Sequence, residues 1–142
     1  MNNNFTNILN GLDDEDYKGD WFELTQNEDI NELSKDGETF PALYCAPDMS
    51  NMLYYLVKQP SFNPNQVNKY NETVLMKLCE KADDFNTSLI KKLLKMGADY
   101  SVVNSKGKTA LDYAEQFSRT VNGTDKAATF LREWISKNPI TE

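Results

Sequence analysis

Histidine is absent from all 142 residues, and that single gap removes a wide range of chemistry. Without imidazole there is no Ser-His or Cys-His nucleophile pair and no zinc site with a histidine ligand. The chain also lacks an apolar run long enough to span a bilayer. Its N-terminal Met1-Asn2-Asn3-Asn4-Phe5-Thr6 has neither the positive start nor the apolar stretch of a secretory signal, so a soluble, cytoplasmic protein that does not enter membranes is expected. No glycine-rich phosphate loop, metal-ligand cluster or nucleophile with a base can be found. The acidic pairs Asp13-Asp14 and Asp83-Asp84 have the composition of an acid-base couple or a divalent-ion site, but they fall in loops or helix starts, where such residues are solvated or capping. An enzyme, a cofactor and a bound metal are therefore not expected.

What is present is repetition. Thr39, Thr73 and Thr109 each follow a turn-like triplet, Asp36-Gly37-Glu38, Tyr70-Asn71-Glu72 and Lys106-Gly107-Lys108, at intervals of 34 and 36 residues. Asn27, Pro60 and Gly97, where second helices should end, are 33 and 37 residues apart. Each unit reads as a turn, a short first helix and a longer second helix. Met52, Leu53, Leu56 and Val57 form one apolar stripe, and Leu89, Ile90, Leu93 and Leu94 form the next. Lys91, Lys92 and Lys95 fall on the other side of that second stripe and, lacking a partnering row of aromatics, read as a solvated helix face.

This frame resembles an ankyrin repeat, whose period is about 33 residues. The likeness is carried by Thr73-Val74-Leu75, by Leu93-Leu94 before Gly97-Ala98-Asp99, and by Gly107-Lys108-Thr109-Ala110-Leu111-Asp112-Tyr113-Ala114. It implies an all-α solenoid of stacked helix-turn-helix units with β-turn fingers. As one domain it would hold a capping repeat over 1–33, repeats over 34–67 and 68–103, and a last repeat with C-terminal cap over 104–142. In the cap, Phe5, Ile8, Leu9 and Leu12 mark one apolar face, and Tyr17, Trp21, Phe22 and Leu24 another. Pro41 stands where the family has Leu, in the first helical turn, where a missing N–H is tolerated. Pro60 replaces the helix-ending Gly, and Asp112 replaces a frequent His whose inter-repeat hydrogen bond must be remade or lost. Cys45 and Cys79 occupy equivalent places at the ends of first helices and read as buried free thiols. An insertion is expected at about Ala82-Asp83-Asp84-Phe85-Asn86.

The resemblance also implies a non-enzymatic protein-binding module that is monomeric when free and docks a partner on a concave face of fingers and inner helices. On this chain the finger positions are Lys35, Asp36 and Glu38, then Lys69, Tyr70 and Glu72, then Ser105, Lys106 and Lys108. Ala46, Pro47, Glu80 and Lys81 lie near inner-helix ends. Tyr70 is the preferred anchor, because an aromatic on an exposed turn has no core to fill.

Charge adds a direction. Residues 1–48 hold twelve carboxylates against Lys18 and Lys35, a balance of −10, so the remainder carries +3 of the total of −7. That polarity disfavours nucleic acid at the acidic end and suits a protein with a basic surface. A small inhibitor or toxin-immunity protein would use such an end. An adaptor bridging partners is the alternative.

Overall fold

The computed structural model describes residues 30–46, 50–80, 84–117 and 126–139. Six helices are present among them: α1 Pro41–Cys45, α2 Ser50–Val57, α3 Val74–Leu78, α4 Asp84–Lys95, α5 Ala110–Phe117 and α6 Lys126–Lys137. No strand occurs among the described residues. Each odd-numbered helix packs on the even-numbered helix that follows it, giving three hairpins. The inner helices stack as α1, α3, α5 and the outer helices as α2, α4, α6. This is the helical stack expected from the repeat.

The apolar stripes explain the packing. On α2 Met52, Leu53, Leu56 and Val57 are buried, as are Leu89, Ile90, Leu93 and Leu94 on α4 and Ala127, Ala128 and Leu131 on α6. One continuous core joins all three hairpins. Cys45 and Cys79 are both inside it as free thiols.

Helix starts follow from local chemistry. Thr73 Oγ1 accepts the Met76 N–H at 3.2 Å, an N-cap bond. At Thr109 the arrangement is reciprocal: its Oγ1 accepts the Asp112 N–H at 3.2 Å while Asp112 Oδ2 accepts the Thr109 N–H at 2.9 Å. Asp112 thus closes a capping box within its own helix. Pro41 sits in the first turn of α1, and its N-cap Phe40 makes no side-chain cap bond.

Helix ends differ. After α4 the Gly97 N–H bonds Leu94 O at 3.1 Å and the Ala98 N–H bonds Leu93 O at 3.0 Å, with Gly97 at φ +100°. That is a Schellman ending, which needs a residue of positive φ. A Gly97→Ala variant has open space for its Cβ, so backbone strain alone should lower stability, by about 1–2 kcal/mol. Urea unfolding of variant and parent checks this. α2 stops at Val57, three residues before Pro60, so proline lies in the exposed turn beyond the helix and does not itself break it.

The insertion expected at Ala82–Asn86 is corrected in part. α4 already begins at Asp84, and Asn86 and Thr87 are buried polar residues of its first turns. Ala82 and Asp83 lie outside the described residues. So do the capping repeat through residue 29, the loop around Asn122, and two of the residues expected at inner-helix ends, Pro47 and Lys81.

Candidate functional site

The fingers are built by one buried polar residue per repeat. Asn68 Oδ1 accepts the N–H groups of Tyr70 and Glu72 at 3.0 and 2.9 Å. Asn104 Oδ1 does the same for Lys106 and Lys108, both at 3.0 Å. Ser34, at the matching position, is shorter and acts through a relay. Its Oγ accepts the Thr39 N–H at 3.1 Å and donates to Asp36 Oδ1 at 2.6 Å, and that oxygen takes the Glu38 N–H at 3.0 Å. These contacts hold the Asp36 carboxyl below its ordinary value, the Ser34 hydrogen bond most of all and the Glu38 N–H next.

Each turn closes with an N–H to carbonyl bond, Gly37 to Ser34, Asn71 to Asn68 and Gly107 to Asn104. Residues 37, 71 and 107 all have φ between +62° and +77°, which only Gly and Asn adopt readily. Neighbouring fingers are tied together as well. The Lys69 N–H donates to Gly37 O and the Ser105 N–H to Tyr70 O, both at 2.9 Å. Asn68 Nδ2 donates to Glu38 O and Asn71 Nδ2 to Val103 O, both at 2.8 Å.

On this frame Lys35, Asp36, Glu38, Lys69, Tyr70, Ser105, Lys106 and Lys108 are exposed, and Glu72 and Glu80 are half-buried. Ala46 is different: it is 7% exposed and belongs to the core, so its side chain offers almost no docking area. Tyr70 is 41% exposed. Lys69 links it to the adjacent finger, with Nζ 5.2 Å from the ring centroid and 3.6 Å from Glu38 Oε2. Desolvation lowers the pKa of the Lys69 ammonium, but Tyr70 and Glu38 outweigh it and hold the group above its ordinary value.

Fingers and inner helices meet at a depression of about 400 Å³ lined by Glu72, Lys77, Glu80, Lys106, Lys108, Tyr113 and Gln116. Four of these, Glu72, Glu80, Lys106 and Lys108, were legible from the repeat register. Lys77, Tyr113 and Gln116 were not, although Lys77 sits three residues before Glu80 on the same helical face and pairs with it at 3.7 Å. Acidic Asp36 and Glu38 occupy one end of the finger row and basic Lys106 and Lys108 the other.

A second polar ladder, not anticipated from the sequence, runs through the loops that leave the outer helices. Asn31 Nδ2 donates to Ser61 O at 2.7 Å and its Oδ1 accepts the Asn63 N–H at 2.9 Å. Asn65 repeats this one unit later with Gly97 O and the Asp99 N–H, at 3.2 and 2.7 Å. The 34-residue spacing of Asn31 and Asn65 was the available signal.

Among the outer helices, Tyr54, Ser88, Lys91, Lys92, Lys95 and Met96 line a second depression of about 370 Å³. The lysines therefore have an aromatic beside them, supplied by the neighbouring helix α2.

Among the described residues no group of three or more His, Cys, Asp or Glu side chains is placed to hold a metal, and no helix is long and apolar enough to cross a membrane. Burial, and then the charge of Glu80, push the Cys79 thiol well above its ordinary value. A thiol held protonated is a poor nucleophile. Native protein should accordingly resist iodoacetamide at pH 8, with two equivalents reacting only after unfolding; intact mass measurement reads both states.

The described residues define an all-α stack of three helical hairpins, with inner and outer helices in register and turn fingers bonded to one another along one edge. No protein-family model matches the chain, and no curated protein matches it. Among solved structures it is similar to the crystal structure of EF0377, an ankyrin repeat protein, at 21% identity over 78% of this chain and 71% of that one, with a TM-score of 0.40.

Proposed function

We propose that this chain is a non-enzymatic protein-binding module that docks a partner on its fingers and the adjoining inner-helix depression. The observation that carries the reading is Tyr70, 41% exposed at the middle finger on backbone that is already bonded to both neighbouring fingers. A preformed surface loses little conformational entropy on docking, and an aromatic on it supplies the kind of anchor that dominates interface energy.

The finer reading is a small inhibitor or immunity-type protein that covers a basic partner. The −10 balance of residues 1–48, with exposed Asp36 and Glu38 at the same end of the finger row, favours a basic target. An adaptor is the second reading, favoured by the basic depression on the outer helices, which would serve a second partner.

The test compares proteins recovered from native extract by the parent and by a Tyr70→Ala/Glu38→Lys variant. Glu38 is suitable because among the described residues its side chain pairs with the exposed Lys69, while its structural bonds are made by the backbone. Recovery of the specific partner should fall about tenfold or more if an interface anchor worth ~1.4 kcal/mol or more is lost, with an unchanged melting curve. Equal recovery rejects the finger face. For the recovered partner, an association rate that falls steeply with salt favours charge-steered inhibition, whereas a salt-insensitive rate favours the adaptor.

A further inference from the structure

The depression on the outer helices has its own chemistry. Ser88, Lys91, Lys92 and Lys95 fall at i, i+3, i+4 and i+7 of α4, one face of a helix, while Leu89, Ile90, Leu93 and Leu94 turn inward. Tyr54, 43% exposed, forms the opposite wall from α2, and Met96, 38% exposed, lies at the C-terminal end of α4. Lys58 adds a fourth ammonium, 5.2 Å from the centroid of the Tyr54 ring. Lys91 spans toward the next helix, its Nζ 5.1 Å from the Phe130 centroid.

No carboxylate occurs in residues 52–62 or 86–98, the two segments that form the walls. Among the described residues none of Lys58, Lys91, Lys92 and Lys95 forms an ion pair; Lys69, Lys77 and Arg132 do, elsewhere. Like charges one helical turn apart destabilise a helix. A chain of net charge −7 has thus collected four cations, with no counter-charge paired to them among the described residues, around Tyr54 and Met96.

We infer that this depression is a docking site for a short acidic protein segment, whose carboxylates meet Lys91, Lys92 and Lys95 and whose apolar side chain rests on Tyr54 and Met96. Ammonium groups pair with carboxylates as charge-assisted hydrogen bonds, and methionine adapts to an apolar side chain of varied shape. The Tyr54 ring and the Met96 thioether favour a peptide over free phosphate, which has nothing to place on them. Single-stranded nucleic acid needs successive aromatics on which to stack, and the lining of the depression supplies Tyr54 alone, Phe130 lying outside it on α6. The site lies on the outer helices and does not depend on the finger face, so either reading can fail while the other stands.

The probe is a fluorescein-labelled Glu-Asp-Leu-Glu-Asp peptide, titrated with the full chain and read by fluorescence anisotropy at low salt, with Lys-Lys-Leu-Lys-Lys and a five-nucleotide oligothymidine as comparisons. Saturable binding of the acidic peptide alone is expected. A Lys91→Gln/Lys95→Gln variant should bind about tenfold or more weakly, since it removes two charge-assisted contacts, and Tyr54→Ala should weaken binding from the other wall. Gln retains helix propensity close to that of Lys, so the first variant is expected to keep the parent circular dichroism and melting temperature. Absence of saturable binding, equal affinity in the Gln variant, or tighter binding of the oligonucleotide overturns the proposal. So does a dimer in sedimentation that the Gln variant dissociates, because the occupant would then be a second copy of the chain.

Discussion

Asn68→Ala is expected to reduce the free energy of unfolding by about 2–4 kcal/mol, because a buried side chain serving four partners leaves several of them unsatisfied. Asn68 is 5% exposed. It accepts the N–H groups of Tyr70 and Glu72, and its amide donates to Glu38 O at 2.8 Å and to Glu72 Oε1 at 2.7 Å. Three of those bonds lie within its own finger and one crosses to the preceding finger, so the loss falls on a turn and on a repeat interface together. Urea unfolding with a fitted slope measures it, and a change below about 0.5 kcal/mol, the range of ordinary surface substitutions, would contradict it.

The first finger supplies a sharper version of the same experiment. Ser34 reaches the Glu38 N–H only through Asp36, and the residue equivalent to Asp36 in the second finger is Tyr70. Asn68→Ser alone therefore lacks its relay and should be nearly as damaging as alanine. Asn68→Ser/Tyr70→Asp restores the relay and should recover part of the loss, the remainder being the missing amide donor to Glu38 O. Non-additivity of this sign is the signature of two residues acting as one network.

These contacts also mark the limit of what could be read in advance. Among the described residues the helical hairpins, the inward stripes of α2 and α4, the buried cysteines and the finger turns are legible in the sequence, because each depends on local periodicity of a few residues or on the regular recurrence of Thr39, Thr73 and Thr109. Ser34, Asn68 and Asn104 recur at 34 and 36 residues as well, but their role depends on which backbone groups face them across a turn, and composition does not carry that. The Asn31 and Asn65 ladder joins atoms 30 to 34 residues apart through loops whose path the helix pattern does not specify. The spacing of the repeats predicts an insertion over Ala82–Asn86, but α4 begins at Asp84, and Asp and Asn suit the first turn of a helix, where free N–H groups await acceptors. For the outer depression, the lysines belong to α4 and the aromatic, Tyr54, to α2, 37 to 41 residues earlier. Only the stacking of outer helices brings them together.

Stacking also decides where a core substitution does most harm. Leu93 is fully buried on α4, and α4 is the one outer helix with a described outer helix on either side, α2 and α6. Leu93→Ala should lower stability by about 2–5 kcal/mol, the cost of the lost apolar contact plus the cavity left behind. In a solenoid, stability is the sum of repeat terms and nearest-neighbour interfaces, so weakening the middle unit loosens its coupling to both sides. Leu131, equally buried on α6, has a described outer neighbour only in α4, and Leu131→Ala should mainly loosen the last hairpin. A Trp21→Phe background leaves Trp134 on α6 as the one fluorescent indole, reporting that hairpin, while far-UV circular dichroism reports all helices. The two signals should coincide in urea for the parent. In Leu131→Ala the fluorescence transition should come first, and in Leu93→Ala the dichroism curve should broaden and part from it. Coincident, equally sharp transitions in both variants would mean that the hairpins unfold as one unit, and that the energy at Leu93 is not an interface term between independent repeats.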